Sequence, residues 1–233
     1  MYRFGIMGAD KRMAELALAL KQDGYEADMI GKESSFENYN VLVLSPGSDF
    51  KSIEHKCVGK KVFAPFCDNG IINYLEYDFF KKENAVPSAE GAIYKFMSMF
   101  DKTVCGSEIA IVGFGCIGQV LYKMLLGLGA FVSVYARGDK KGTRPIEELK
   151  NTCFDAIINT VPAKVITYDI LCSFPRKPII IDLASRPGGV DFAAAESLGI
   201  TCVHELGIPG RYAPETAGCV LKNTVISILR GAK

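Results

Sequence analysis

The sequence lacks several features by which common classes of protein are recognised. Its 233 residues include no tryptophan and only two histidines, and 27 basic residues nearly balance 26 acidic ones. This near-neutral charge gives no support for nucleic-acid binding. No apolar run approaches the ~20 residues that span a bilayer, and the first residues lack the apolar segment of a signal peptide. We therefore expect a cytoplasmic protein with no membrane span.

Metal-binding and disulfide patterns are also missing. The eight cysteines are scattered, and no two have C-x-x-C spacing, which argues against zinc sites and disulfide frameworks. We expect no metal site, and we expect most of these thiols to be buried as small apolar groups in a reducing compartment. The shortage of histidine counts against a catalytic histidine, since His55 lies among charged residues and His204 belongs to no motif.

Glu108–Gly118 is the most informative stretch of the chain. It contains Ile109–Val112, a short apolar run rich in β-branched residues, which is typical of a buried parallel strand. Gly113, Gly115 and Gly118 then match G-x-G-x-x-G, a pattern that binds a dinucleotide pyrophosphate at a helix N-terminus. An amphipathic helix and a second strand follow in the pattern. We therefore predict a dinucleotide site rather than a glycine-rich turn that binds nothing.

Strand-like and helix-like segments alternate along the chain, which predicts parallel sheets with right-handed crossovers. We expect an α/β protein of two α/β domains, the second a Rossmann-type parallel sheet, linked by a long helix. Pro87 disfavours helix at the residue before it, so we place a boundary there and expect Ser88 to begin the helix. The predicted bounds are 1–87 for a small N-terminal domain, 88–102 for the linking helix, 103–212 for the dinucleotide-binding domain and 213–233 for a C-terminal helix that returns to the first domain.

The residues after the predicted strand 131–135 indicate which dinucleotide binds. An NAD site usually has Asp or Glu there to accept from the ribose hydroxyls, but here Ala136 and Arg137 follow, with Lys140 close behind. Arg137 suits a bidentate contact to a 2′-phosphate. The sequence therefore favours NADP over NAD, although solvated loop cations would explain the same residues.

Three further loops meet the glycine turn at the carboxyl edge of the predicted sheet, where ligands of open α/β sheets bind. These loops are Asn159–Pro162, Asp182–Gly189 and Leu206–Gly210. Turn chemistry alone would explain their glycines and prolines, but Arg186 also suits a substrate carboxylate. The predicted cofactor-binding residues are Gly113, Gly115, Cys116, Ile117, Gly118, Ala136, Arg137, Lys140, Asn159, Thr160, Val161, Pro162, Leu183, Ala184, Ser185, Gly207 and Pro209.

Several of these segments, taken in order, resemble the family formed by the A subunits of dipicolinate synthase. The Pro-Ser-Ala-Glu-Gly segment and the Ser-Arg-Pro-Gly-Gly loop are specific, whereas the glycine fingerprint alone is not. The match runs from about residue 86 to the C-terminus, with a looser region before it in which this chain is shorter than typical members. The matching segments are Gly8–Arg12, Val86–Ile93, Val112–Gly115, Asn159–Pro162, Asp182–Gly189, Gly207–Gly210 and Ala213–Gly218.

The resemblance implies oxidation of a dihydrodipicolinate-type ring to dipicolinate with NADP, in the cytoplasm of a sporulating cell. It also implies that the partner is a second, flavoprotein-like subunit, and a homo-oligomer is a further possibility. Loss of a hydride and a proton makes the ring aromatic, so the protein's task is mainly positioning. Two rival functions stay open: an NADP-dependent 2-hydroxyacid-type dehydrogenase, and a nucleotide-binding subunit without chemistry of its own.

The two carboxylates of such a ring need cationic or N–H partners, for which we predict Arg12, Ser88 and Arg186. Ser88 and Arg186, with Glu90 and Asp182 as candidate bases, form the predicted catalytic set. Each has a simpler alternative: Ser88 as an N-cap, Glu90 as a partner of the helix dipole, Asp182 as an acceptor that orders its loop, and Arg12 as a solvated side chain.

Overall fold

A computed structural model describes residues 2–68, 70–138 and 142–231 of the chain. These residues form two compact units. Unit 1 holds the residues up to Pro87 together with those from Pro209 onwards, and unit 2 is Ser88–Ile208. Each unit has a five-stranded sheet whose neighbouring strands all pair in parallel. The predicted α/β fold class is confirmed.

The secondary structure alternates along the described residues as the patterns predict. The strands are β1 (Arg3–Met7), β2 (Glu26–Met29), β3 (Val41–Leu44), β4 (Lys61–Ala64), β5 (Ile71–Asn73), β6 (Glu108–Val112), β7 (Phe131–Tyr135), β8 (Ala156–Asn159), β9 (Ile179–Asp182) and β10 (Cys202–His204). The α-helices are α1 (Lys11–Gln22), α2 (Asp78–Met99), α3 (Cys116–Gly127), α4 (Tyr168–Leu171), α5 (Phe192–Ser197), α6 (Ile208–Tyr212) and α7 (Pro214–Leu229). Short 3-10 helices lie at Phe50–Ser52, Glu54–Lys56, Tyr74–Glu76 and Ile146–Leu149.

The core of unit 1 lies between its sheet, of order β2-β1-β3-β4-β5, and the pair α1 and α7. Leu16 and Leu20 are fully buried on the inner face of α1, and burial of each stabilises the fold by about 1.5–3 kcal/mol. Helix α7 adds Leu221 to the same cluster. Gly218 allows this close packing, because a Cβ atom there would lie 2.8 Å from the backbone nitrogen of Leu16.

Unit 2 has the strand order β10-β9-β8-β6-β7. The apolar run Ile109–Val112 of β6 is wholly buried, as a central parallel strand requires. Strand β6 pairs with β7 on one side and with β8 on the other. The chain therefore reverses its direction of winding at β6, and this switch point is where open α/β sheets bind ligands.

The helix that we predicted to begin at Ser88 in fact begins at Asp78 and contains Pro87 in its interior. Proline costs this helix one N–H···O bond but does not end it, because Ala85 and Ala89, on either side of the proline, are buried. Ser88 is consequently a buried mid-helix residue rather than an N-cap. Glu90 is exposed and lies three turns into the helix, so it is not a first-turn partner of the helix dipole.

The burial expected for the cysteines was wrong for most of them. Cys57 is buried, whereas Cys67, Cys105, Cys153 and Cys172 are exposed, so short loops and helix ends place these thiols at the surface. The remaining three are partly buried. Among the described residues, no helix is long and apolar enough to cross a membrane.

Candidate functional site

The glycine turn of unit 2 begins directly after β6, at the switch point of the sheet. Gly113 has a φ of +101°, and a Cβ atom there would lie 2.9 Å from a methyl carbon of Val161 and closer to the hydroxyl of Thr160. A Cβ at Gly118 would collide with the carbonyl oxygen of Gly113. These two glycines therefore let the turn, helix α3 and the loop after β8 pack closely together.

Gly115 faces open space instead. It is the N-cap residue of α3 and supplies no side-chain cap. Apart from its two chain neighbours, no heavy atom of the described residues lies within 4 Å of a Cβ placed on it. The first N–H groups of α3, at Cys116 and Ile117, belong to those that a helix leaves free for an anion. This combination of a bare backbone, open space and a helix N-terminus fits the pyrophosphate of a dinucleotide.

A cavity of about 430 Å³ lies where β7 ends. Ala136 and Arg137 line it, and the Arg137 side chain is exposed. Glu147 lines the same cavity, a residue that sequence reasoning missed because nothing in the spacing shows that the chain returns there from 142 onwards. Lys140, which we predicted to act with Arg137, lies outside the described residues. Among the described residues that line it, the cavity thus offers one cation and one carboxylate to a ligand.

The loop after β8 is fixed by Asn159, which is fully buried. Its side-chain amide donates to the carbonyl oxygen of Val161 at 3.0 Å and accepts from the Val161 N–H at 3.1 Å. The Thr160 hydroxyl donates to the carbonyl oxygen of Val112 at 3.1 Å, at the end of β6. Pro162 is exposed. Asn159 therefore fixes the conformation of this loop through its side-chain amide, and Thr160 bonds the loop to the end of the strand that leads into the glycine turn.

Asp182, the last residue of β9, is fully buried and receives three hydrogen bonds. Its Oδ1 accepts from the Asn159 amide at 2.7 Å and from the Ala184 N–H at 3.1 Å. Its Oδ2 accepts from the Gly189 N–H at 2.7 Å. These contacts favour the loop-ordering alternative for Asp182 over the base, because its oxygens are already occupied by donors.

The loop ordered by Asp182 presents Arg186. Ser185, Arg186 and Pro187 are exposed, whereas the residues on either side of them are buried. The Gly188 N–H donates to the carbonyl oxygen of Ser185 at 2.9 Å and closes residues 185–188 into a tight turn, which we call the Arg186 turn. Since β9 runs parallel to β8 and β6, this turn lies at the same edge of the sheet as the glycine turn.

The other predicted residues of the later loops differ in their exposure and in the unit to which they belong. Leu183 is half-buried and Ala184 is buried beneath the Arg186 turn. Gly207 is exposed after β10. Pro209 belongs to unit 1. The structure thus brings most of the predicted cofactor-binding residues to one edge of unit 2, with Pro209 outside that unit.

Arg12 in unit 1 is not a solvated side chain, because it is only 5% exposed. Its Nη2 forms an ion pair of 2.7 Å with Oδ2 of Asp10, whose Oδ1 also accepts from the Arg12 N–H at 2.9 Å and caps α1. Burial raises the pKa of the nearby Tyr74 hydroxyl, and the charge of Arg12 opposes this rise. The guanidinium is therefore held in a polar cluster inside the unit.

A second buried ion pair lies in unit 2. Lys95 of α2 and Glu205, the residue after β10, approach to 3.0 Å, and the Glu205 side chain is only 9% exposed.

Within residues 2–68, 70–138 and 142–231, no three His, Cys, Asp or Glu side chains are grouped so as to hold a metal ion.

Comparison with known proteins finds a relative in sequence. No protein-family model matches the chain. Over 170 residues it is 36% identical to the A subunit of dipicolinate synthase from Bacillus subtilis (strain 168), an alignment that covers 68% of this chain and 57% of the relative. The chain thus spans little more than half the length of that curated relative.

Solved structures extend the likeness over nearly the whole chain. The crystal structure of the dipicolinate synthase A subunit from Bacillus halodurans has a TM-score of 0.84 and 25% identity, covering 98% of this chain and 97% of that one. The D-lactate dehydrogenase of Escherichia coli has a TM-score of 0.66 over 99% of this chain and 98% of its own. Its 11% identity shows the fold alone.

Proposed function

We propose that this chain, which belongs to the family of dipicolinate synthase A subunits, oxidises a dihydrodipicolinate-type ring to dipicolinate with NADP. The observation that supports this most directly is the exposed Arg186, held on a tight turn at the same sheet edge as the glycine turn. A cation beside a dinucleotide-binding turn suits an anionic substrate.

The preference for NADP rests on the cavity beside β7. Arg137 lines it and is exposed, and a guanidinium binds a phosphate through paired hydrogen bonds. Glu147 lines the same cavity and is the residue that favours NAD, since a carboxylate accepts from ribose hydroxyls and repels a 2′-phosphate. We place Arg137 at the 2′-phosphate because it follows β7 directly, where the ribose of a dinucleotide lies.

The reaction removes a hydride and a proton from a partly reduced pyridine ring, which becomes aromatic. NADP supplies the hydride acceptor when it is bound. Arg186 binds one ring carboxylate by charge-assisted hydrogen bonds and so orients the ring. Asp182 orders the Arg186 turn, and the proton passes to Glu90 or to water.

The other predicted contacts to substrate stay predictions. Ser88 is buried within α2, and its hydroxyl would need a path to the ring. Arg12 already has Asp10 as a partner inside unit 1, so a carboxylate would share its guanidinium. We also propose, from the family alone, a flavoprotein-like second subunit, possible self-association and a place in the cytoplasm of a sporulating cell.

The test uses the purified chain, NADP or NAD, and freshly generated dihydrodipicolinate, with and without the second subunit. Dipicolinate and reduced nicotinamide are followed by absorbance. The proposal expects both products in equal amounts, with NADP preferred. Binding of NADP without turnover in either mixture would identify a nucleotide-binding subunit instead. Turnover of a 2-hydroxy acid in place of the ring would identify a dehydrogenase of the rival class.

A further inference from the structure

His204, the last residue of β10, lies against the Arg186 turn. Its Nε2 is 2.7 Å from the carbonyl oxygen of Ala184, the residue that immediately precedes the turn. A carbonyl oxygen only accepts hydrogen bonds, so Nε2 is the donor. The histidine is therefore bonded to the backbone that leads into Arg186.

The imidazole ring is itself held in place. It stacks on the ring of Phe192, with centroids 5.1 Å apart and an angle of 27° between the planes. Gly188 lies beside both rings, because a Cβ atom there would be 3.3 Å from Cε1 of His204 and 3.0 Å from Phe192. Gly188 has a φ of +92°. The backbone at the end of the Arg186 turn thus packs directly against the imidazole ring.

The turn is consequently held from two sides. Asp182 bonds from within, through the N–H groups of Ala184 and Gly189. His204 bonds from the side of β10, through the Ala184 carbonyl. Asp182 thus accepts from N–H groups, and His204 donates to a carbonyl group, of the same backbone segment. Between these bonds, Ser185–Pro187 is the exposed tip of the turn.

We propose that His204 is a positioning residue which, through the Ala184 carbonyl and the backbone of Gly188, fixes the turn that presents Arg186. Orientation of a binding group is a large part of catalysis when the substrate must lie at one distance from a dinucleotide. This inference rests on the proposed function, in which Arg186 binds a ring carboxylate. It gives a role in that function to a histidine that belongs to no sequence motif.

Two substitutions separate the hydrogen bond from the packing. His204→Phe keeps a ring that stacks on Phe192 but removes the donor to Ala184. His204→Gln restores a donor without the ring. His55→Phe, at the other histidine of the chain, which is exposed and lies in unit 1, serves as the matched control.

The first readout is amide hydrogen exchange of residues 183–190, which needs no substrate. We expect faster exchange at this segment in His204→Phe, and exchange close to that of the wild type in His204→Gln and His55→Phe. Unchanged exchange in His204→Phe would overturn the proposal whatever the activity of the chain.

The second readout is turnover of the dihydrodipicolinate-type ring. We expect His204→Phe to raise KM and lower kcat/KM about tenfold with unchanged NADP affinity, and His204→Gln to recover most of the loss. In an Arg186→Ala background the same change should cost little more, since it acts through Arg186. An equal further loss in that background would overturn the positioning role. If the wild-type chain oxidises no ring, the proposed function fails, and exchange alone decides whether His204 holds the turn.

Discussion

Gly118 in the first turn of α3 lies directly against the carbonyl group of Gly113 at the end of β6. A Cβ atom at Gly118 would be 3.0 Å from that carbonyl carbon and would overlap its oxygen. Helix α3 therefore begins in contact with the strand that precedes it, and its N-terminus is fixed over the switch point of the sheet.

The first prediction compares two glycines of this helix. Gly118→Ala should destabilise the chain by about 1–3 kcal/mol, because backbone atoms must move to accept the methyl group. Gly127→Ala, at the last residue of α3, adds a carbon that meets no described atom within 4 Å beyond its chain neighbours and the backbone of its own helix. It should stabilise the helix by up to about 1 kcal/mol. Urea denaturation measures both, and equal effects would show that the contact is not tight.

The glycine fingerprint that the sequence shows is the local cause of this contact, because its third glycine lets the helix pack closely on the strand. The helix around Pro87 could not be predicted in the same way. The local preference of the residue before a proline was outweighed by tertiary packing, which buries Ala85 and Ala89 on either side of it.

The roles of charged residues were the hardest to predict from sequence. Lys11 and Arg12 are adjacent and equally polar, yet the first is exposed and the second is buried beside Asp10. Two of the donors to Asp182 come from its own loop, but the bond from Asn159 depends on how β8 and β9 align, which no local pattern encodes. Glu147 was missed because nothing in the spacing shows that the chain returns to the end of β7.

The second prediction concerns the choice of cofactor. Arg137→Ala should lose about 1.5–3 kcal/mol of NADP binding, because a charge-assisted contact to the 2′-phosphate disappears, while NAD binding changes little. Glu147→Gln should leave NADP binding equal or tighter. Isothermal titration with both nucleotides measures these changes. Equal weakening of NAD and NADP by Arg137→Ala would contradict the proposed contact.

The third prediction tests the substrate role of Arg186. Arg186→Ala should lower kcat/KM for the ring about 10- to 100-fold, as expected when a charged hydrogen bond is lost, with NADP affinity preserved. Arg176→Ala is the matched control, because Arg176 is half-exposed and pairs with Asp155, the residue before β8 at the opposite edge of the sheet. Steady-state kinetics that are the same for both variants would show that Arg186 does not bind the substrate.

The fourth prediction concerns the buried pair in unit 1. Asp10→Ala removes the cap of α1 and leaves the Arg12 guanidinium, 6% exposed in its side chain, without its carboxylate. We expect a loss of about 3–5 kcal/mol in the free energy of unfolding. Asp28→Ala breaks an ion pair with Lys21 in which both side chains are 54% exposed, and it should cost under about 1 kcal/mol. Similar unfolding midpoints for the two variants would show that the Asp10–Arg12 pair contributes no more to the free energy of unfolding than the exposed pair does.

The fifth prediction is a pH dependence at Cys202. Burial, with a smaller effect from the charge of Asp182, raises the pKa of this thiol to about 12 from its ordinary value of 9.0. Between these values the unfolded chain loses the proton and the folded chain keeps it. The contribution of Cys202 to stability is therefore fully present below about pH 9 and decreases as the pH rises towards 12.

Cys202→Ala removes the titration of this thiol and leaves the titration of every tyrosine unchanged. The difference in stability between wild type and variant therefore reports the ionisation of the thiol alone. The wild type should be the more stable of the two at neutral pH, because Cys202 is packed against the core of unit 2. The difference in their unfolding midpoints should narrow steadily as the pH rises above about 9. Cys153→Ala, which removes an exposed thiol from the same unit, controls for the loss of a cysteine as such. A stability difference between wild type and Cys202→Ala that stays constant up to the alkaline limit of folding would mean that the thiol ionises as readily in the folded chain as in the unfolded one.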